Sequence, residues 1–241
     1  MKRLFDILAA SSGLLILSPL LLMMMFLVWL QDRHSPFYIA NRIGKNGVPF
    51  KMVKLRSMVI NADKSGVDST ASDDKRITTV GKFIRRFKLD ELMQLWNVLL
   101  GDMSVVGPRP NVAADTARYT EEERELLTAR PGITDIASIV FSDEGDILEG
   151  SQNPDLLYNQ IIRPYKSRFA IIYVRNQTLS FDIFLILQTI IGIANKKQAL
   201  MNLHRRLVKL NVDQNLLDVC LRQSSLKPAA PPGSDTVVQS L

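Results

Sequence analysis

The chain has 241 residues and a formal net charge of +6, with one cysteine and two histidines. Those counts exclude an internal disulfide framework, a cysteine-based zinc site and a multi-histidine metal centre. The charge favours anionic partners, namely phosphates, acidic lipid headgroups or nucleic acid, and the length suits one ordinary domain with an added membrane element.

Residues 1–32 carry the first element. After Asp6 comes an uncharged run of 24 residues, Ile7 to Leu30, where roughly 20 apolar residues suffice to cross a bilayer. Lys2 and Arg3 before an apolar core imitate a secretory signal, but the run ends at Trp29 and not at a small-residue cleavage site. Ser18-Pro19 lies at its middle, and a proline there removes a backbone donor and frees a carbonyl that the Ser18 hydroxyl can engage. Downstream, Arg33, Arg42, Lys45, Lys51, Lys54 and Arg56 follow with no acid between 33 and 56. Positive flanks mark the cytoplasmic side, and here both flanks are positive. The reading is a re-entrant membrane helix broken at Ser18-Pro19, with a kinked spanning helix as the alternative.

The segment 36–60 alternates apolar and polar positions around Gly44 and Asn46-Gly47, which predicts a β-hairpin. Residues 61–74 are small and polar and read as a surface loop. A basic block follows, with Lys75, Arg76, Lys82, Arg85, Arg86 and Lys88, and it runs directly into Asp90-Glu91. Leu92, Leu95, Trp96 and Leu99 then mark one helical face, with Gly101 placed to stop it. The two acids fall in the first turn of that helix, where helix physics alone favours capping. Residues 115–129 predict a charged surface helix stopped by Pro131-Gly132, with the acids at 121–123 and 125 as a solvated face. An apolar helix over 181–193, capped by Ser180, is too short to span and is expected in the core or the membrane interface. The basic amphipathic segment after it suits an anionic phospholipid surface. The whole is an α+β chain, mainly helical with a short hairpin. A catalytic-size domain covers 33–210, and a tail covers 211–241 whose Pro/Ser/Gly-rich end is expected to be disordered.

No Walker A sequence, GxGxxG or G-x-S-x-G elbow is present. Nucleic acid is not the expected partner, because aromatics make up only 7% of the chain. Phosphate and membrane remain. A carboxylate can attack phosphorus to give an aspartyl phosphate, provided that cations quiet the anionic substrate.

The stretches "NRIGKNGVPFKMVKLRSM", "DDKRITTVGKFIRRFKLDELMQLWNVLLGDMSVVGPRP", "RPGIT" and "YVRNQTLSFDIFLILQT" resemble the bacterial sugar transferases, the monotopic phosphoglycosyl transferases, over residues 1 to about 200. That resemblance implies a UDP-sugar donor, a polyprenyl phosphate acceptor, Mg²⁺, and a site on the cytoplasmic face of a bacterial inner membrane. It implies Asp90 as nucleophile and Glu91 as magnesium ligand. Arg109, between Pro108 and Pro110, and Lys88 would contact phosphates, with Lys54, Arg56, Arg76, Arg85 and Arg86 as further candidates. Met93 stands where the family commonly has proline, and "RPGITDIASIV" with Asp135 departs from the usual pattern near the region that bears on sugar choice. A membrane-surface scaffold and a hydrolase are the alternative functions, and homo-oligomerisation stays open.

Overall fold

The computed structural model describes residues 1–65 and 70–240, so 66–69 of the expected 61–74 loop lie outside the described residues. Helix α1 runs from Lys2 to Asp32 as one element through Pro19. The expected interruption is absent: the Ser18 hydroxyl donates to Leu15 O at 2.8 Å, and Leu15 O is the carbonyl that the proline at i+4 leaves without a donor. One hydrogen bond replaces another and the helix continues.

Both ends of α1 are fastened to the same body. At the start, Lys2 Nζ donates to Asp182 at 2.6 Å and to Val106 O at 3.0 Å, and Arg3 donates to Val98 O and Leu99 O. Buried Asp6 accepts from the Ser104 hydroxyl and from Val105 N. At the far end, Arg56 grips Asp32 through two nitrogens at 2.6 and 2.7 Å. Between these anchors Ala10, Leu21, Met24 and Val28 are buried against the rest of the chain, while Leu8, Leu15, Ile16, Leu22, Met23 and Phe26 stay exposed.

Strands β1 (Phe37–Ile43) and β2 (Pro49–Leu55) form the expected antiparallel hairpin, Phe37 opposite Leu55. Its turn uses left-handed Asn46 and Gly47, the residues that accept such φ values most readily. Helix α2 (Thr79–Arg86) is capped by the Thr78 hydroxyl accepting from Gly81 N at 2.9 Å. A 3₁₀ turn, Leu89–Met93, leads into α3 (Gln94–Leu100), which Gly101 ends at φ +96. Leu95 and Val98 face the core, but Trp96 is about half exposed and off that face. Strand β3 (Ser104–Val106) then pairs in parallel with β4 (Gly132–Thr134).

The expected helix over 115–129 is instead a short α4 (Ala113–Ala117), a bend, and a 3₁₀ stretch, Glu123–Thr128. The bend is a capping box. Thr120 N donates to Glu123 Oε2, and Glu123 N donates to the Thr120 hydroxyl. Glu123 is fully buried rather than solvated, held by Arg163 at 2.9 Å and by the Ser167 hydroxyl at 2.7 Å.

Six more helices follow. These are α5 (Ile136–Val140), α6 (Glu144–Leu148), α7 (Pro154–Ile161), α8 (Arg163–Arg175), α9 (Leu179–Ala194) and α10 (Lys196–Lys209). Thr178, not Ser180, caps α9. One face of α9 buries Phe181, Leu185 and Gln188, while Ile183, Leu187, Ile190 and Ile193 project unpartnered. After α11 (Gln214–Leu221) the tail, expected to be disordered, lies along α7 and α8. Tyr165 OH donates to Lys227 O, Ala229 N to Gln160 O, Arg168 to Ala230 O, Gln160 to Val238 O, and the Thr120 hydroxyl to Pro232 O. Pro231 and Pro232, within the tail, are buried. Backbone carbonyls and paired prolines give such a segment fixed partners even where its own side chains are small.

Each of these tail hydrogen bonds contributes about 1 kcal/mol net. A chain ending at residue 222 is therefore expected to melt several degrees lower, roughly 2–4 °C per kcal/mol for a domain of this size. Differential scanning fluorimetry of the truncated and full-length proteins checks this.

Candidate functional site

Asp90 and Glu91 sit in the 3₁₀ turn and not in a regular α-helical first turn. Neither side chain occupies a cap position: the N-cap residues of the 3₁₀ turn and of α3 are Lys88 and Met93, and neither makes a side-chain cap hydrogen bond. Lys88 adopts a left-handed conformation, φ 54, an uncommon geometry for a residue with a Cβ. It breaks the path between α2 and the turn.

Buried Asn97 on α3 bolts the turn to the hairpin. Its Oδ1 accepts from Val53 N at 2.9 Å and its Nδ2 donates to Lys51 O at 2.7 Å. The next outward residue of β2, Lys54, thereby reaches Glu91 Oε1 at 3.6 Å. From the other side Arg109 donates to the same Glu91 oxygen.

Arg109 is carried by the junction of β3 and β4. Gly107 N donates to Thr134 O at 3.0 Å and Gly132 N to Pro108 O at 2.9 Å. The two glycines meet backbone to backbone: a Cβ on Gly107 would lie 2.2 Å from Arg130 O, and one on Gly132 would lie 2.0 Å from Gly107 N. Pro108 and Pro110 fix φ on either side of the arginine.

The two adjacent carboxylates are driven apart electrostatically. Burial alone would raise Glu91, but Arg109, Lys54 and Lys88 overcome it and hold this carboxyl well below the usual range. Burial and the neighbouring Glu91 charge push Asp90 up, with Lys54, Arg85 and Arg109 opposing. Burial lowers Lys54 and Lys88, partly offset by Glu91, while the Glu91 charge raises Arg109 further. Two like groups in unequal surroundings take different protonation roles.

Among the described residues, neither Asp90 oxygen has a hydrogen-bond or ion-pair partner, and Glu91 uses only Oε1. The remaining oxygens are hard donors of the kind Mg²⁺ takes, with substrate phosphates and water filling its octahedron. No cluster of three or more potential ligands occurs among the described residues. The dyad thus fits an ion that shares its coordination with substrate.

Of the expected phosphate contacts, Lys54, Lys88 and Arg109 converge on the dyad, and Arg85 is among the charges acting on Asp90. Arg56 does not converge, being committed to Asp32 and Ser35 O. Arg76 is engaged by Asp74 at 2.6 Å, and Arg86 lies 5.8 Å from the Phe87 ring. Sequence reasoning passed over a second charged group. Lys166 on α8 pairs with Glu144 on α6 and stands 5.2 Å from the Tyr158 ring. Only their distant spacing in the chain, 144, 158 and 166, hid them, because no local period connects them.

Paired carboxylates among buried cations suit chemistry on an anionic phosphoryl group. A family model described as bacterial sugar transferase matches residues 1–196, and the chain belongs to that family. Over 206 residues it is 36% identical to the exopolysaccharide production protein ExoY of Sinorhizobium fredii, covering 78% of this chain and 83% of that protein. It is 36% identical over 204 residues to the undecaprenyl-phosphate galactose phosphotransferase of Salmonella typhimurium, covering 78% and 39%. It is 33% identical over 204 residues to the UDP-glucose:undecaprenyl-phosphate glucose-1-phosphate transferase of Klebsiella pneumoniae, covering 81% and 40%. The chain spans about two fifths of the length of these last two relatives.

Replacing Glu91 by Gln removes the charge that raises Asp90 and releases Arg109 toward it. The Asp90 carboxyl is then expected to titrate at lower pH than in the wild type. Carbon-detected NMR of ¹³C-labelled aspartate reads that shift directly.

Proposed function

We propose that the chain moves a sugar-1-phosphate from a UDP-sugar to polyprenyl phosphate through a covalent intermediate on Asp90. Family membership and the names of its relatives make it a phosphotransferase. The observation that carries the finer reading is the Asp90 carboxylate, without a hydrogen-bond or ion-pair partner among the described residues, beside a Glu91 already neutralised by Arg109 and Lys54.

In the first step an Asp90 oxygen forms a bond to the phosphorus attached to the sugar, and the bond from that phosphorus to the bridging oxygen breaks. UMP leaves with the electron pair. In the second step an oxygen of the polyprenyl phosphate attacks the same phosphorus and the Asp90 carboxylate departs, regenerated. A magnesium ion held by Glu91 would supply charge neutralisation to the phosphate oxygens. Lys54, Lys88 and Arg109 orient those oxygens in line with Asp90. The raised pKa of Asp90 makes its carboxylate a stronger nucleophile than an exposed one, at the cost of needing a higher pH to ionise.

The membrane arrangement follows from α1. It is the one helix among the described residues long and apolar enough to cross a bilayer. Yet its first residue, Lys2, holds Asp182 and its last, Asp32, holds Arg56, and both partners belong to one body with Arg109 and the dyad. A helix fastened at both ends to a charged domain lies against one leaflet, its exposed apolar side in the acyl region. The projecting residues of α9, with Phe83, Phe87, Trp96 and Leu100, add to that apolar surface. The soluble donor and the lipid phosphate would meet there, on the cytoplasmic face of the inner membrane.

Two outcomes test this. Asp90→Asn is expected to cut UMP release from UDP-sugars by on the order of 10³-fold or more, and to form no labelled protein adduct; sustained turnover would remove Asp90 as nucleophile. In the wild type, the acid limb of the rate profile is expected above the ordinary carboxylate range, with activity rising as pH climbs through the Asp90 pKa. For topology, cysteines placed at positions 2 and 60 should react with an impermeant reagent from the same side of sealed vesicles.

A further inference from the structure

Lys166 belongs to no part of the reaction as argued so far, yet it is one of the most enclosed cations in the chain. Its side chain is 14% exposed, paired with Glu144, and placed 5.2 Å from the Tyr158 ring. Glu144 comes from α6, Tyr158 from α7 and Lys166 from α8, so three elements converge to hold one ammonium group.

The Arg109 loop is tied to the helix that carries this ammonium. The loop leaves β3 at Val106, whose carbonyl accepts from Tyr173 OH at 3.0 Å. It ends at Asn111, whose Nδ2 donates to Tyr119 OH at 2.6 Å, and the Tyr119 ring lies 5.8 Å from the Arg163 guanidinium. The loop is thus tied near both ends of the α8 face that carries Arg163, Lys166 and Tyr173. These positions, i, i+3 and i+10, share one side of a helix. Arg109 lies between the two ties in the loop, as Lys166 does on the helix. Arg109 and Lys88 are both among the charges that act on this cluster.

We propose that Lys166 is a further phosphate-binding cation for the donor diphosphate, acting with Arg109, and that Glu144 and Tyr158 are positioning residues that keep it extended. This rests on the transferase reading for its substrate but not on Asp90 as nucleophile. The shared chemistry, a phosphoryl oxygen, could come from donor or lipid. The distribution of apolar surface favours the donor. Among the described residues no large hydrophobic side chain between 101 and 182 is exposed, whereas α1, α2, α3 and α9 all display them. Lys166 therefore sits on a polar wall, reached by a soluble molecule.

The test uses the full chain in detergent micelles, titrated calorimetrically with UDP, with uridine and with a short-chain prenyl monophosphate. Lys166→Met is expected to weaken UDP binding about 10-fold or more, the loss of one charge-assisted contact, with uridine and prenyl phosphate within twofold. Lys166→Arg should restore much of the UDP affinity. Glu144→Gln should weaken UDP less than Lys166→Met does, raising the donor KM more than it lowers kcat. Loss of prenyl phosphate binding alone would reassign Lys166 to the acceptor and overturn the proposal, as would unchanged UDP binding. Equal losses for all three ligands without rescue by Arg would reveal a purely structural pair. If Asp90→Asn retained turnover, the nucleophile assignment would fail while these binding comparisons still decide the role of Lys166.

Discussion

The contact between Arg109 and Glu91 is the constraint on which the site depends. Two carboxylates on consecutive residues repel each other, and without a cation on one of them neither would have a defined state at neutral pH. Arg109 and Lys54 settle the question by taking Glu91. Asp90 is left half-buried, under its neighbour's field, and uncommitted. The rest of the architecture serves this asymmetry: the hairpin brings Lys54, Asn97 locks α3 to the hairpin, and the parallel β3–β4 pair delivers Arg109 from a stretch of chain that begins a whole helix later.

The same arrangement explains how a small, basic chain buries several cations beside a carboxylate. The cations are buried along their stems and the Glu91 carboxylate meets the ends of Lys54 and Arg109, so these charges are paired in a low-dielectric setting. Glu123 does for Arg163 what Glu91 does for Arg109. Helix α1 follows this logic too. Its charged residues, Lys2, Arg3, Asp6 and Asp32, all point to the domain and are satisfied there, which leaves its opposite side uncharged.

Much of this was legible in the sequence. The hairpin followed from Asn46-Gly47, the stop of α3 from Gly101, the apolar helix α9 from its uncharged run, the amphipathic character of α10 from its interleaved basic residues, and the dyad with Arg109 from one contiguous motif. The failures have physical reasons. The 115–129 region has a helical pattern, but Tyr119 and Glu123 find tertiary partners in Asn111, Arg163 and Ser167, and those outweigh local propensity. The tail has the composition of a disordered segment, yet it is held through carbonyls, which composition does not describe. Pro19 does not interrupt α1 because one hydroxyl in the preceding residue answers the lost bond. Arg56 and Arg76 looked like phosphate contacts because their charge is visible in sequence, while the acids that claim them, Asp32 and Asp74, are assigned only by the fold.

The meeting of Gly107 with Gly132 carries one more implication. Where the two backbones touch there is no room for even a methyl group, so the gap between β3 and β4 acts as a gauge, and the guanidinium two residues further on inherits its setting. A single carbon added on either side would have to be accommodated by moving a main chain. The reach of Arg109 toward the dyad is, in this sense, calibrated by two side chains that do not exist.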